Sequence, residues 1–294
     1  MMKRFQDAVS PLIDEIRAQY GAVFDTALAR NVADVLVEDI GSGDRTAQLI
    51  PSNLLCDARV IVREPALLCG VLWFNEVMRR IDPTIDVSWC YREGDWMAAG
   101  TAVCELHGPA RTLLSAERSA LNFLQLLSGV ATVTYGFVEA VQGTRACILD
   151  TRKTLPGLRI AQKYAVRVGG GANQRLALYD GILLKENHIA AAGGVELALH
   201  AALNADVPVQ IEIETLAQLE TALAHCAKSI LLDNFTLDEM REAVRLTAGR
   251  AMLEVSGGVN LETVRQIAET GVDRISIGML TKDIQATDFS MRIV

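Results

Sequence analysis

The stretch Cys147–His188, CILDTRKTLPGLRIAQKYAVRVGGGANQRLALYDGILLKENH, carries the pattern from which the fold is predicted. It begins with a short apolar run that stops at Asp150, and a second apolar run, Ile182–Leu184, stops at a lysine. A helix-patterned segment and a triple glycine separate the two runs. Seven basic residues and one acid lie within Arg145–Arg175, in a chain whose net charge is -8. A local excess of positive charge in an acidic protein predicts a site for a small anion.

Short apolar runs alternate with helix-patterned segments from residue 145 onward. The six predicted strands are Cys147–Leu149, Ile182–Leu184, Val209–Ile213, Ile230–Leu232, Met252–Val255 and Ile275–Ile277. This alternation predicts parallel βαβ units, which build either a doubly wound sheet or a barrel. Nearly every run ends in a polar residue, and α/β barrels form their active sites at the carboxyl ends of their strands, so a barrel is favoured. No G-x-G-x-x-G follows the first run, which weakens a dinucleotide-binding interpretation.

The chain before residue 110 has a different pattern, in which strands follow one another with helices around them. The predicted helices are 5–37, Val71–Ile81 and, continuing beyond this part, Thr112–Val141; the predicted strands are Ala58–Arg63, Ala66–Cys69, Val87–Arg92 and Ala102–His107. This mixture predicts an α+β arrangement. It holds no concentration of reactive side chains, and we expect it to be a scaffold or a lid.

Composition excludes several classes of protein. The 294 residues are half hydrophobic and the pI is near 5.1, which argues against a nucleic-acid-binding protein. We read no signal peptide at the start, and no run of about 18 apolar residues predicts a membrane span. The six cysteines are scattered without a C-x-x-C pair, and the four histidines lack zinc spacing. We therefore expect reduced, buried cysteines in a cytoplasmic protein.

Acidic residues at strand ends are candidate ligand groups. Glu212 and Glu214 share a parity, so both side chains leave one face of the predicted strand. A buried carboxylate is costly unless it is bonded, so either Glu212 binds a ligand, or one acid is satisfied internally while the other lies in solvent. Asp233 closes an apolar run in the same way. Such acids can accept hydrogen bonds from sugar hydroxyls or hold a hydrated cation.

Glycines and basic residues complete the predicted site. The loops SGG at Ser256–Gly258 and GM at Gly278–Met279 follow the last two strands, where barrels often bind phosphate. The candidate cations are Arg152, Lys153, Arg175 and Lys185. They are suited to carboxylates and phosphates, although surface charges or ion pairs with Asp150 or Glu186 are alternatives. His188 could act as a general acid or base, but a structural role is the simpler interpretation. The pattern around Arg118 indicates an exposed charge on a helix. The residues alone describe a pocket for a phosphorylated sugar and a carboxylated ligand.

The motifs ERSALNFLQLLSGVAT, LDTRKTLPGLR, KYAVRVGGGANQR, LLKENH, IEIETLAQLE, LLDNF, EVSGG and ETGVDRISIGMLTK lie in this order between about Glu38 and the C-terminus. Together they resemble the quinolinate phosphoribosyltransferase family (nicotinate-nucleotide pyrophosphorylase, carboxylating). The resemblance implies an α/β protein with an N-terminal open α/β sandwich, residues 1–117 joined by the tail 284–294. This domain covers a C-terminal incomplete, six-stranded, TIM-like α/β barrel, residues 118–283.

The resemblance also implies an activity and an assembly. The phosphoribosyl group of phosphoribosyl pyrophosphate is transferred to quinolinate, giving nicotinate mononucleotide, pyrophosphate and carbon dioxide in NAD biosynthesis. The protein is implied to be a homodimer or higher homo-oligomer. The motif ERSALN places at Arg118 the arginine that a neighbouring subunit contributes to each site, in contrast to the exposed helical charge favoured by composition.

The residues implied to bind substrate are Arg118, Thr151, Arg152, Lys153, Gln174, Arg175, Lys185, Glu212, Asp233, Ser256, Gly257, Gly258, Gly278 and Met279. Those implied to act in catalysis are Lys153, Lys185, Glu212 and Asp233. Mg²⁺ is implied to arrive with phosphoribosyl pyrophosphate, near Glu212 and Asp233, and not to be held directly by the protein.

One position departs from the family pattern. Gln174 stands in GGGANQR where the family usually has histidine, and glutamine cannot carry a proton, although it can hydrogen-bond. This departure motivates one alternative, a non-catalytic protein that binds phosphorylated ligands, or a regulatory protein, on the same scaffold. A second alternative, independent of Gln174, is a related pyridine-carboxylate phosphoribosyltransferase.

Overall fold

The computed structural model describes residues 11–294, so the predicted helical segment before Pro11 lies outside the described range. These residues form two compact units. The first comprises the described residues up to Tyr135 with Thr154–Gly170 and Asp283–Val294, and the second comprises Gly136–Lys153 and Gly171–Lys282. The division into domains at residues 117/118 stays a prediction.

The helices, in chain order, are α1 (Pro11–Tyr20), α2 (Ala22–Asp39), α3 (Val71–Ile81), α4 (Ala110–Ala140), α5 (Arg159–Val168), α6 (Glu186–Ala192), α7 (Val195–Ala201), α8 (Leu216–Ala224), α9 (Leu237–Thr247), α10 (Val264–Ala268) and α11 (Met279–Lys282). The strands are β1 (Leu55–Val62), β2 (Ala66–Leu67), β3 (Asp86–Trp89), β4 (Trp96–Met97), β5 (Ala102–Pro109), β6 (Cys147–Leu149), β7 (Ile182–Leu184), β8 (Val209–Ile213), β9 (Ser229–Asp233), β10 (Met252–Ser256), β11 (Arg274–Ser276) and β12 (Phe289–Ile293). A short 3₁₀ turn covers Ala47–Leu49.

The first unit is built on an antiparallel sheet of four strands in the order β12-β1-β5-β3. The C-terminal strand β12 pairs along β1, so the end of the chain completes the sheet. In β1, Ala58, Val60 and Val62 are buried and alternate with more accessible residues, as expected for a strand with one face on a core. A second, two-stranded pairing joins β2 to β4.

Aromatic side chains form the centre of this unit. Trp73 of α3 lies 5.6 Å from Phe24 and 5.3 Å from Tyr164, measured between ring centroids, and all three rings are buried. Truncating a ring of this kind to alanine typically costs about 3–5 kcal/mol of stability. The single helical stretch predicted for 5–37 is two helices in the described part, because Gly21 has a φ of 56° between α1 and α2.

The second unit contains a parallel six-stranded sheet in the order β6-β11-β10-β9-β8-β7. All six predicted strands are confirmed, with bounds that differ by one residue at most. The edge strands β6 and β7 do not pair with each other within residues 11–294, so the predicted barrel is incomplete. A parallel bridge from Leu149 to Ala172 instead occupies the free edge of β6.

Helix α4 is long and apolar enough to cross a bilayer if only its length and composition are considered. Its apolar side chains are largely buried, and Leu124 and Leu127 pack close to Gly70 within the first unit. A buried core helix meets the same criterion of length and composition.

The cysteines only partly follow the prediction. All six are free thiols, but only Cys69 and Cys104 are buried, whereas Cys147 and Cys226 are exposed. The prediction of six buried cysteines is therefore wrong, because Cys147 opens a strand at an exposed position and Cys226 lies in the turn after α8.

Candidate active site

Lys185 and Glu212 meet where two neighbouring parallel strands end. Lys185 follows β7 directly, and its Nζ lies 3.3 Å from Oε2 of Glu212 on β8. The residues on either side of Glu212, Ile211 and Ile213, are fully buried on the opposite face of the strand. The Glu212 side chain is only 11% exposed. Burial raises the pKa of this carboxyl above its ordinary value of 4.5, while Lys185 lowers it and the charge of Asp233 raises it.

Asp233 and Ser256 end the next two strands at the same level of the sheet. They are paired in register between β9 and β10. Asn234, which follows Asp233 in the left-handed conformation with φ 59°, donates from Nδ2 to Asp233 Oδ2 over 3.0 Å. A Cβ on Gly257 would lie only 2.9 Å from Oδ1 of Asn234, so this loop comes as close as it does because residue 257 is glycine.

Gly278, which follows β11, brings that strand end against the loop after β6. A Cβ on Gly278 would lie 3.1 Å from Cδ of Lys153 and 3.6 Å from Oγ1 of Thr151. Thr151 Oγ1 accepts a hydrogen bond from the backbone N–H of Lys153, and Thr281 Oγ1 donates to the Lys153 carbonyl. Lys153 is thus held by its backbone and lies beside the Gly278–Met279 turn.

The glycine-rich segment GGGANQR continues along the free edge of β6. Ala172 N–H donates to the carbonyl of Ile148 over 2.8 Å. The buried carboxylate of Asp150 accepts from Asn173 Nδ2 at 2.6 Å and from Gln174 N–H at 2.9 Å. Asp150, predicted to end a strand and considered as an ion-pair partner of the basic residues, thus holds the segment that carries Arg175 beside the end of β6.

Two arginines share one part of the site. Burial lowers the pKa of the Arg175 guanidinium, and the positive charge of nearby Arg152 lowers it further. Arg175 Nη1 donates to the carbonyl of Gly181 over 2.8 Å, which fixes the direction of its side chain. Because an arginine stays protonated, two neighbouring guanidinium groups repel each other until an anion lies between them. The charge of Asp180 raises the pKa of Arg175 and offsets part of the decrease. A pair of neighbouring guanidinium groups is suited to binding a carboxylate.

The structure brings together the predicted residues of the second unit at the carboxyl ends of its strands. Thr151 lies beside Lys153 and Gly278, Gln174 contacts Arg175, Lys185 contacts Glu212, and Gly257 lies close to Asp233. Arg152 interacts electrostatically with Arg175, and Glu212 with Asp233. Asp233 and Ser256 are paired in register. Gly258 and Met279 are the neighbours of Gly257 and Gly278 in these loops. Arg118 belongs to the first unit, where it is exposed on α4.

Two candidate side chains have structural positions. His188 accepts at Nδ1 from the backbone N–H of Lys185 over 3.0 Å, so it caps the start of α6. Glu214 is exposed beyond the end of β8, and the contrast with Glu212 matches the interpretation of one inward and one solvated acid.

Three polar residues near the site were not predicted: Asn234, Gln210 and Glu254. Gln210 lies two residues before Glu212 on β8, and Glu254 two residues before Ser256 on β10, so each points to the same face as a site residue. Both are buried. A charged residue inside the apolar run MLEVS was the available signal for Glu254.

Known proteins match this chain over most of its length. The model of the quinolinate phosphoribosyl transferase N-terminal domain matches residues 44–128, and that of the C-terminal domain matches residues 130–292. The probable nicotinate-nucleotide pyrophosphorylase (carboxylating) of Bacillus subtilis is 41% identical over 260 residues, 87% of this chain and 90% of that protein. The corresponding enzyme of Mycobacterium leprae is 40% identical over 91% of this chain and 97% of its own length.

A solved structure agrees with the sequence matches. The nicotinate-nucleotide pyrophosphorylase from Francisella tularensis superposes with a TM-score of 0.89 at 43% identity, covering 92% of this chain and 96% of that chain. At this identity and coverage, both the sequence and the fold are shared. The chain belongs to the quinolinate phosphoribosyltransferase family.

Proposed function

We propose that this protein is a decarboxylating quinolinate phosphoribosyltransferase, which transfers the phosphoribosyl group of phosphoribosyl pyrophosphate to the ring nitrogen of quinolinate. The products are nicotinate mononucleotide, pyrophosphate and carbon dioxide, a step in NAD biosynthesis. The observation that best supports this proposal is that two groups of charged side chains lie at the carboxyl ends of the parallel strands. Arg152 and Arg175 interact in the first group, and Lys185, Glu212 and Asp233 interact in the second. A dicarboxylate fits the first group, and a phosphorylated pentose fits the second together with the loops at Ser256–Gly258 and Gly278–Met279.

The first step breaks the bond between the anomeric carbon and pyrophosphate and forms the bond from that carbon to the pyridine nitrogen. Positive charge develops on the ribose while the electron pair of the broken bond leaves with pyrophosphate. Glu212 and Asp233 accept hydrogen bonds from the ribose hydroxyls, and Lys153 and Lys185 stabilise the leaving group. Arg152, Arg175 and Thr151 hold the diacid so that its nitrogen faces the anomeric carbon.

The second step releases carbon dioxide. N-ribosylation makes the ring a pyridinium, so the electron pair of the broken carbon–carboxylate bond is stabilised on the ring carbon, which then takes a proton from water. No side chain acts as a nucleophile in either step. The residues need only bind, orient and balance charge, which is consistent with glutamine rather than histidine at position 174.

Magnesium enters this proposal as part of the substrate, the Mg²⁺ complex of phosphoribosyl pyrophosphate. Within residues 11–294 no group of three or more histidine, cysteine, aspartate or glutamate side chains is placed to hold a metal ion. The two adjacent acids Glu212 and Asp233 suit a hydrated cation that a phosphate already holds. When bound, the ion would neutralise charge on the departing pyrophosphate.

Release of carbon dioxide is the decisive test. Purified protein supplied with carboxyl-labelled quinolinate, phosphoribosyl pyrophosphate and Mg²⁺ should release one carbon dioxide per nicotinate mononucleotide formed. Equal turnover of nicotinate without carbon dioxide would identify a related pyridine-carboxylate transferase. Tight binding of both ligands without turnover, unchanged in Gln174→His, would point to a non-catalytic binding protein.

We predict that Arg152→Ala weakens quinolinate binding far more than phosphoribosyl pyrophosphate binding. Loss of one charge-assisted carboxylate contact should raise the KM for quinolinate by at least about tenfold, with a change of less than about twofold for the other substrate. Steady-state kinetics with each substrate varied in turn measures both values. Arg241→Ala, which removes an exposed arginine of α9, is the matched control. Equal losses for both substrates would contradict the role assigned to Arg152.

We further propose a homodimer or higher homo-oligomer in which Arg118 acts at the site of a neighbouring subunit. Its exposure on α4 leaves the guanidinium available to a partner. We also propose that the protein works in the cytoplasm, since all six cysteines are free thiols, as expected in a reducing compartment.

A further inference from the structure

Glu254 is a buried carboxylate whose described partners are two side-chain amides. It is 1% exposed in the middle of β10. Its two oxygens accept from Nε2 of Gln174 at 2.9 and 3.1 Å, and Oε2 also accepts from Nε2 of Gln210 at 2.9 Å. No ion pair to Glu254 occurs in the described part of the chain, residues 11–294. A carboxylate in this position is tolerated because the amides satisfy it, and it can only accept hydrogen bonds.

This carboxylate determines which way the Gln174 amide points. Gln174 Nε2 lies among three acceptor oxygens, the two of Glu254 and Oε1 of Gln210 at 2.8 Å. Reversing the amide would place its oxygen against two carboxylate oxygens, which is repulsive. The nitrogen therefore faces the interior, and Oε1 faces the opposite way.

The fixed amide in turn holds the backbone of Arg175. Gln174 Oε1 accepts from the N–H of Arg175 over 2.9 Å, and Gln174 N–H donates to Asp150 over 2.9 Å. The backbone N–H groups of Gln174 and Arg175 are thus both hydrogen-bonded, and the arginine side chain extends from this backbone toward the carbonyl of Gly181. Arg175 is the cation that shares its surroundings with Arg152.

We infer that Glu254 is a positioning residue for the recognition of the pyridine diacid: through the Gln174 amide it sets the backbone from which Arg175 reaches the carboxylate site. This inference rests on the proposed function. It assigns Gln174 an inward role, as the link between Glu254 and Arg175, in addition to any contact with substrate. The role of Glu254 differs from that of Glu212 and Asp233, which are proposed to accept hydrogen bonds from the ribose hydroxyls.

Three variants test the inference: Glu254→Gln, Gln174→Glu, and the exchanged pair Gln174→Glu with Glu254→Gln. Glu254→Gln removes the acceptor that orients the amide, and Gln174→Glu sets two carboxylates against each other. Each single change should raise the KM for quinolinate about tenfold and change that for phosphoribosyl pyrophosphate less than about twofold. In the exchanged pair the carboxylate is at position 174 and faces the amides at positions 210 and 254. One of its oxygens still faces the N–H of Arg175, so the KM for quinolinate should return most of the way to the wild-type value.

Quinolinate binding is titrated by calorimetry next to the kinetics and thermal unfolding, with Glu220→Gln, an exposed acid of α8, as the control expected to behave as wild type. If either single variant fails to fold, folding and binding by the exchanged pair still report the coupling. Equal changes for both substrates, or no recovery in the exchanged pair, would overturn the inference. A wild type that binds quinolinate without releasing carbon dioxide would count against the proposed function only, and the same variants would then be compared by binding.

Discussion

Two opposing effects act on the pKa of the Glu212 carboxyl. Burial raises its pKa above 4.5, and Lys185, 3.3 Å away, lowers it without removing the net increase. The folded protein therefore retains this proton to a higher pH than the unfolded chain does. Stability contributed by the protonated form is present below the ordinary carboxyl pKa and decreases as the pH rises through the raised value. The acid that serves the substrate is thus a source of instability at neutral pH.

We predict that Glu212→Gln unfolds at a higher temperature than wild type at pH 7 and loses this advantage below about pH 4, where both chains are uncharged at this position. Calorimetric Tm values of both proteins across this pH range measure the difference. Activity should fall in the same variant, because the amide is a weaker acceptor for a ribose hydroxyl. A difference in Tm that stays constant with pH would contradict the assigned pKa direction.

Single residues differ in how far their roles could be predicted from sequence. Lys185 and Asp233 could be predicted because each follows or ends an apolar run, and the ends of parallel strands meet at one edge of a sheet. Glu212 could be predicted because it alternates with buried isoleucines near the end of β8. The proximity of Arg152 to Arg175 could not, since it depends on a segment that returns to the edge of β6. Glu254 was missed because its partners come from two other parts of the chain.

The start of helix α3 illustrates how a buried acid supports an element. Gly70, with φ 112°, precedes the helix and provides no side-chain cap. The N–H groups of Gly70 and Val71 instead donate to the two oxygens of Glu93 over 2.7 and 3.0 Å. Tyr164 O–H donates to the same carboxyl over 2.8 Å. Burial raises the pKa of Glu93, and these three bonds lower it.

We predict that Glu93→Gln destabilises the first unit by about 2 kcal/mol, because an amide group can accept at only one of the two positions and its NH₂ would face a donor. Tyr164→Phe, which removes one donor and keeps the ring, should cost about 1 kcal/mol.

Urea unfolding followed by tryptophan fluorescence measures both changes, since Trp73, Trp89 and Trp96 all lie in the first unit. Glu38→Gln, an exposed acid of α2, is the control. A smaller loss for Glu93→Gln than for Tyr164→Phe would contradict the double role of the carboxyl.

Elements with a clear hydrophobic period were predicted well, and those set by one residue or by tertiary pairing were not. Each strand of the parallel sheet is three to five residues long and overlaps a short, mainly apolar segment, so its position could be predicted from the local sequence. The break between α1 and α2 depends on the conformation of Gly21, and β4 is defined by pairing with β2. Neither the helix break nor the strand pairing can be predicted from the local hydrophobic pattern.

The molecule as a whole is assembled from segments that are distant in sequence. Residues 154–170 belong to the first unit although they lie between strands β6 and β7 of the second, and β12 returns to β1. The basic residues that follow β6 are therefore divided between the two units. Arg152 and Lys153 belong to the second unit, and Arg159 belongs to the first. Sequence order alone does not predict such a division, because it reports local periodicity and not which elements share a core.

Sharing of Arg118 between subunits gives a prediction at the level of the assembly. Arg118→Ala and Lys185→Ala proteins should each lose at least about a hundredfold in activity, as is typical when a charge that stabilises the transition state is removed. If subunits exchange at random in a dimer, half of the molecules are mixed, and each mixed dimer has one site with both residues intact. Mixing equal amounts should therefore restore about a quarter of wild-type activity.

A mixture of Arg118→Ala with the Arg118→Ala, Lys185→Ala double variant has no intact site and should stay inactive. Exchange is verified with tagged subunits. If each variant alone is inactive, an inactive mixture despite complete exchange would show that Arg118 acts within its own subunit.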